Sequence, residues 1–259
     1  MRPDEHEQMY RVEARHFWFT GTRRVILAAL ERALGADRLA PSSPLPPPRL
    51  LDLGCGTGFT LTQLPPGVRA TGLDYSPTAL RLARRRATSA SLVRGSAYAL
   101  PFGDGAFDAA LALDVLEHLG DDRAAARELA RVVRPGGVAI VTVPAFQELW
   151  SPHDEALDHQ RRYRLHEIEA VVRDAGLTVE HATYYNFFLF PVVAAARMVE
   201  RARTAIGLAP SEASGADLRV PPAPLNALLR TVLGSERAIA PRMRLPIGVS
   251  CLVVARKTA

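Results

Sequence analysis

The chain has 259 residues, a net charge of +5 and 48% hydrophobic residues. That length fits one large α/β domain with an insertion, and the apolar content is ordinary for a globular fold. Its two cysteines, Cys55 and Cys251, lie far apart with no metal-ligand spacing, which argues against a disulfide framework and a cysteine-based zinc site. The positive charge comes almost wholly from arginine, Lys257 being the only lysine, and it reads as compositional bias rather than a nucleic-acid patch. The densest run, Arg84-Arg85-Arg86, falls at a predicted helix end, where cations complement the dipole. The acidic start (Asp4, Glu5, Glu7) is unlike a secretory leader. The longest apolar run, 187–196, is too short to span a bilayer and contains Pro191. A cytoplasmic chain without stable membrane insertion is therefore expected.

Residues 1–40 carry a helical pattern. Val25, Ile26, Ala29, Leu30, Ala33 and Leu34 recur at helical spacing and mark a face that packs on a sheet. The cluster from His16 to Arg24, with Phe17, Trp18 and Phe19, is too apolar for a solvated tail and reads as core packing or as a cover over a site. Pro41 to Pro48 is a Pro/Ser linker.

An apolar run, Leu50-Leu51-Asp52-Leu53, then leads into Gly54-Cys55-Gly56-Thr57-Gly58-Phe59. This is strand, tight turn and helix, the first βα turn of a doubly wound sheet, where nucleotides bind. Glycines allow close backbone approach, and a helix start favours an anionic group. The dinucleotide spacing G-x-G-x-x-G fails because Phe59 holds its last position, and the P-loop fails for want of lysine. Ala70-Thr71-Gly72-Leu73-Asp74-Tyr75 reads as a second strand ending in an acid that suits ribose hydroxyls. Downstream stand Leu100-Pro101-Phe102, Phe107-Asp108, Leu113-Asp114-Val115-Leu116-Glu117-His118 and Arg134-Pro135-Gly136-Gly137. As a set, over about residues 50–145, these resemble class I S-adenosylmethionine (SAM)-dependent methyltransferases of small-molecule type, with a type 11-like core.

Strands are expected near 50–53, 69–73, 91–94, 107–113, 137–143, 177–184 and 247–255. Helices are expected near 59–64, 77–88, 121–133 and 165–175, with two more at 189–206 and 223–240. The alternation predicts an α/β fold with helices on both faces. The resemblance implies a Rossmann-like, doubly wound seven-stranded sheet whose last strand is antiparallel. It divides the chain into a helical cover and linker (1–48), a SAM-binding core (49–185), a helical insertion on the substrate side (186–245) and the last core strand (246–259).

The resemblance also assigns the cofactor, SAM, residue by residue. Asp52, Gly54, Cys55, Gly56 and Gly58 would hold the methionine end, Asp74 the ribose, and Tyr75 the adenine face. Ser96 and Ala97 would meet the adenine edge, where similar enzymes commonly carry Asp in place of Ser96; Asp114 and Val115 would stand beside the sulfonium. Tyr10 and Trp18 would shield the methionine part or the substrate, and Arg23 would pair with the SAM carboxylate. Asp114-Val115-Leu116-Glu117 lacks the aromatic clamp of base-modifying enzymes, so no nucleic-acid partner is expected.

The polar stretch 150–163 follows the fifth strand. His159 is the favoured base because imidazole titrates near neutral pH. His118 reads as a helix-start residue. His153, Asp154, Asp158 and His159 match no zinc motif, so no metal is expected. Arg162, Tyr163, Tyr185 and Phe188 would meet the acceptor, expected to be small and hydrophobic, with O-methylation favoured over a peptide carboxylate or a lipid-linked sugar. Readings of another class are a nicotinamide oxidoreductase and a non-catalytic SAM binder. A homodimer is compatible with the sequence.

Overall fold

The computed structural model describes residues 3–40, 42–205 and 219–258. Pro41 and residues 206–218, between the two insertion helices, lie outside the described residues. Seven strands form one sheet: β1 (Arg49–Leu53), β2 (Arg69–Asp74), β3 (Ser91–Arg94), β4 (Phe107–Leu113), β5 (Val133–Pro144), β6 (Leu177–Tyr185) and β7 (Ser250–Lys257). Their order is β3-β2-β1-β4-β5-β7-β6, with β7 antiparallel to both neighbours. The expected fold is the fold observed. The order reverses between β1 and β4, which puts the switch-point crevice at the carboxyl ends of these strands.

The helices are α1 (Pro3–Val12), α2 (Phe17–Leu34), α3 (Ala36–Leu39), α4 (Phe59–Gln63), α5 (Pro77–Arg86), α6 (Asp122–Val132), α7 (Pro152–Ala156), α8 (Leu165–Asp174), α9 (Phe190–Ala205) and α10 (Ala223–Ser235). Two cores flank the sheet. On one face Val25, Ile26 and Leu30 of α2 pack on Leu50, Leu111, Ile140 and Leu252. Burying each of these aliphatic side chains contributes about 1.5–3 kcal/mol. On the other face Leu129 and Ile168, from α6 and α8, pack on Leu51, Leu53 and Val141. Side chains alternate along a strand. Leu51 and Leu53 therefore point to the α6 face, and Asp52 shares the α2 face with Leu50.

The structure differs from the expectation where side chains are pulled inward. The second insertion helix breaks at Ser235 into a 3₁₀ turn, Glu236–Ala238. Glu236 is fully buried and accepts the Phe188 amide at 3.1 Å. β7 starts at Ser250 rather than 247, after Gly248 passes β6 so closely that a Cβ there would lie 2.3 Å from the Tyr185 carbonyl oxygen.

α10 lies on α2. A Cβ on Gly21 would stand 2.6 Å from Leu233 Cβ, and the Asn226 side chain accepts the Phe17 amide at 2.9 Å while donating to the Arg15 carbonyl at 2.8 Å. Cover and insertion thus share one helical layer. Arg86, read from sequence as a dipole-complementing cation, instead turns inward. It pairs with Glu13 just beyond α1 and lies 4.1 Å from the Tyr10 ring centroid.

Candidate active site

The first glycine turn shapes the floor of the crevice. Gly54, Gly56 and Gly58 all have positive φ, at 70°, 52° and 81°. A Cβ on Gly54 would lie 2.5 Å from Val115 Cγ2, whereas one on Gly56 would meet nothing within 4 Å. The first position needs glycine for packing; the other keeps open space above the turn. The turn amides are largely engaged within the protein. Gly54 and Cys55 donate to the Leu73 carbonyl, and Gly56 donates to Asp74 Oδ2 at 2.9 Å. The following α4 has five residues. The anion-cradling amides expected from the glycine spacing are therefore replaced by glycines that simply make room.

Charge at this end comes from side chains. Asp52 is buried, and its Oδ2 has no hydrogen-bond partner. Burial lifts its pKa to about 7 against the opposing pull of Arg23. Arg23 enters from α2, two residues before Val25, and its Nε and one terminal nitrogen are buried without hydrogen-bond partners. Asp74 orders the second turn by accepting the Ser76 amide at 2.8 Å as well as that of Gly56. Tyr75 stands 73% exposed beside this turn. Ser96 Oγ accepts the Tyr98 amide at 3.2 Å, so its short side chain is already part of a local turn.

Glu13 reaches over this end from the cover. It meets the Thr57 hydroxyl in the glycine turn and the Arg86 guanidinium. Burial raises the Glu13 pKa to about 7 despite Arg86.

The crevice continues past β4. Asp114 ends this strand in the left-handed region, at φ 54°, with its carboxylate accepting the Thr142 hydroxyl at 3.1 Å. Its side chain is open to solvent yet surrounded by protein, as befits the floor of a cleft. Beyond it Glu117, His118 and His159 place ligand-type atoms within 4.8 Å of one another. Glu117 is fully buried, and its carboxylate oxygens have no partner beyond its own backbone amide. Burial, reinforced by Asp114, raises its pKa well above the usual range. Burial and the neighbouring His159 lower that of His118 to about 4. His159 Nδ1 lies 2.9 Å from Asp154 Oδ1. Asp154 is buried, which alone would raise its pKa, but hydrogen bonds from His159 and Arg162 hold it below the usual carboxylate range.

Comparison with known proteins shows which domain the crevice belongs to. The model of a methyltransferase domain matches residues 51–141. The malonyl-[acyl-carrier protein] O-methyltransferase of Serratia marcescens is 39% identical over 119 residues, 46% of this chain and 47% of its own. The demethylmenaquinone methyltransferase of Thermus thermophilus is 37% identical over 126 residues, 46% of this chain and 51% of its own. A SAM-dependent methyltransferase of Thermotoga maritima shares the fold, with a TM-score of 0.55, 17% identity and coverage of 98% of this chain and 96% of its own. Residues 51–141 of the chain form a class I SAM-dependent methyltransferase domain. SAM is the cofactor. The chain spans about half the length of the curated relatives it matches.

The residues present in this methyltransferase fit that cofactor. A methionine end carries one ammonium and one carboxylate. The crevice holds one unpartnered carboxylate oxygen, on Asp52, and an incompletely partnered guanidinium, on Arg23. Open space lies above Gly56 in the same turn. Cys55 is buried, and its thiol pKa is raised by burial and then by Asp52 and Asp74, so it is inert packing here.

Other expected site residues fall differently. Tyr10 is under the Arg86 guanidinium, and half-buried Trp18 lies in the first turn of α2. Arg162 does not face an acceptor: it pairs with both Asp154 oxygens, at 2.7 and 3.1 Å, and donates to the Ala145 carbonyl. Tyr163 is a core residue whose hydroxyl donates to Asp122 at 2.8 Å. Tyr185 is also buried, its hydroxyl facing Thr142, Ser250 and Asp114. Phe188 is 44% exposed at the entry to the insertion. Sequence reasoning named neither Glu117 as a site residue nor Phe146, which stacks on Tyr184 at 4.8 Å and meets Phe190 at 5.8 Å. Phe146 carries a local signal, an aromatic residue two positions after a strand in a doubly wound sheet. Among the described residues, no helix is long and apolar enough to cross a membrane.

Proposed function

We propose that this chain transfers a methyl group from SAM to a small, hydrophobic acceptor, most readily at oxygen. When bound, SAM supplies an electrophilic methyl group on a sulfonium. Asp52 accepts hydrogen bonds from the ammonium and Arg23 pairs with the carboxylate. Asp74 accepts from the ribose hydroxyls, Tyr75 covers an adenine face, and Ser96 and Ala97 border its edge. Val115, pressed against Gly54, fixes the height of the floor at the donor end, with Asp114 beside it. Positioning of this kind can supply about 7–11 kcal/mol of a barrier. On the acceptor side His159, oriented by Asp154, takes the acceptor's proton, and Arg162 acts by holding Asp154. The aromatic group of Phe146, Tyr184 and Phe190, continuing to Phe188, forms the apolar wall.

The observation that carries this reading is the unpartnered Asp52 and Arg23 pair beside an open glycine turn. Two similar proteins, named for O-methylation of a malonyl carrier protein and for a demethylmenaquinone, support an oxygen or quinone-type acceptor. The test is a screen of acceptor classes (phenols, quinones, carboxylic acids, amines, peptides, lipid-linked sugars) scored by S-adenosylhomocysteine release. Turnover with aromatic hydroxyl compounds is expected, with Phe188→Ala raising KM while SAM affinity stays unchanged. Tight SAM binding with no turnover in any class would leave only a SAM-binding protein.

A further inference from the structure

The feature left unexplained by methyl transfer is Glu117. A carboxyl group without solvent and without a donor beyond its own amide is costly to bury ionised, and such groups keep a proton, pair with a cationic side chain or bind a metal ion. No arginine compensates it directly, since Arg162 is engaged with Asp154. Beside it instead stand two imidazoles, with their ligand-type atoms and those of Glu117 mutually within 4.8 Å. The rings of His118 and His159 are edge to face, with centroids 4.7 Å apart.

Each imidazole is held by an outer partner. His159 Nδ1 is on the Asp154 carboxylate, and the Asp154 carboxylate is itself fixed by Arg162 and by the Ser151 amide and hydroxyl. The His118 ring is hydrogen-bonded with the Asp158 backbone carbonyl. One ring nitrogen on a carboxylate or carbonyl, leaving the other for a cation, is the arrangement that metal-binding histidines adopt. Ligand atoms about 2.0–2.2 Å from one cation stand roughly 3–3.5 Å apart. Closing from 4.8 Å requires shifts of only about 1 Å, within reach of side-chain torsions.

We infer that Glu117, His118 and His159 bind a divalent first-row transition cation on the acceptor side of the crevice. Two imidazoles and one carboxylate suit zinc, iron or cobalt, whereas magnesium and calcium favour all-oxygen sites. Three protein ligands leave coordination positions for an acceptor hydroxyl, whose proton a cation makes easier to remove. In that arrangement His159 serves as a ligand, the cation lowers the acceptor hydroxyl's pKa in its place, and the proton passes to solvent water. The sequence hid this set because Glu117-His118 and His159 lie on opposite sides of β5 in the chain, and the spacing within residues 153–159 alone matches no motif.

The test uses the full chain, without a histidine tag, stripped with a chelator. Cobalt(II) is the probe, read by visible absorption, with zinc and magnesium followed by calorimetry. SAM affinity is measured in the same preparations. The native chain should bind one equivalent of cobalt with visible ligand-field bands, and zinc at least 100-fold more tightly than magnesium. Glu117→Gln and His159→Gln should each weaken cobalt binding by 100-fold or more, and Asp154→Asn by roughly 10–100-fold. SAM affinity should stay within twofold in every variant. The inference falls if the native chain shows no saturable cobalt site below about 1 mM, if magnesium is preferred, or if Glu117→Gln binds cobalt like the native chain. Should Glu117→Gln fail to fold, the native titration and His159→Gln decide alone. The inference does not rest on the acceptor assignment, so retained SAM binding without cobalt binding removes the cation and leaves the methyltransferase reading standing.

Discussion

The two ends of the crevice solve opposite electrostatic problems. At the β1–β2 end the groups without a full set of partners have opposite signs, Asp52 from the strand and Arg23 from the cover helix. Such a pair suits a ligand that brings both charges, and neither group is fully compensated until the ligand arrives. At the β4–β5 end the unpartnered group is a buried acid, Glu117, flanked by imidazoles, with Asp114 adding further negative potential. That end suits a cation or a proton. One end is preorganised for a zwitterion, the other for positive charge, and β4 with Val115 forms the boundary between them.

The sharpest way to break this division is at His159. His159→Ala should lower kcat by roughly 10²–10⁴-fold with SAM affinity intact, whether the imidazole takes the proton itself or holds a cation. A parallel loss of SAM binding would show that the two ends are one site. Asp74→Ala should weaken SAM binding by about 1.5–3 kcal/mol, read by calorimetry, because a charged acceptor is lost at the ribose. Unchanged affinity in a folded Asp74→Ala chain would move the ribose elsewhere.

A smaller effect is expected from pH. In the proposed site the SAM ammonium meets ionised Asp52, whose pKa burial sets at about 7. Raising the pH from 6 to 7 takes Asp52 from about one-tenth to one-half ionised, so SAM should bind about fivefold more tightly. Asp52→Asn should bind more weakly and show no such slope; a slope retained in that variant would assign it to another group.

Least is expected from Glu13. Its folded pKa of about 7 exceeds its unfolded value. The stability it contributes is therefore fully present below about pH 4.5 and is lost as pH rises through 7. Amide exchange in α1 should be faster at pH 8 than at pH 6 after correction for intrinsic rates, and Glu13→Gln should flatten that difference.

What the sequence revealed divides along the same line. Asp52, Gly54 and Asp74 stand in short motifs at strand ends, and the resemblance those motifs carry pointed to them and to the sheet they terminate. The acceptor end is assembled from segments on either side of β5, and local pattern misled there. Arg162 and Tyr163 read as groups awaiting an acceptor because they are polar and follow a strand. They are instead taken by Asp154 and Asp122, partners that only folding brings near. Tyr185 misleads for a related reason: an amphipathic ring reads equally well as a wall or as core, and its burial depends on β7. The joining of cover and insertion through Asn226 spans 209 residues of chain, beyond the reach of any periodicity.

The position of β7 also governs the order in which this molecule can assemble as it is synthesised. β5 and β6 do not touch as strands; each pairs with β7, and β7 is made after all the others. Until Ser250–Lys257 leaves the ribosome, both strands present bare edges, the kind of surface on which chains aggregate. The helical layer waits as well, because α10 is needed beside α2. The glycine turn is translated early, yet the elements on either side of it close late. A growing chain of this protein therefore carries these open edges until β7 is made, and a message interrupted before β7 yields an open sheet.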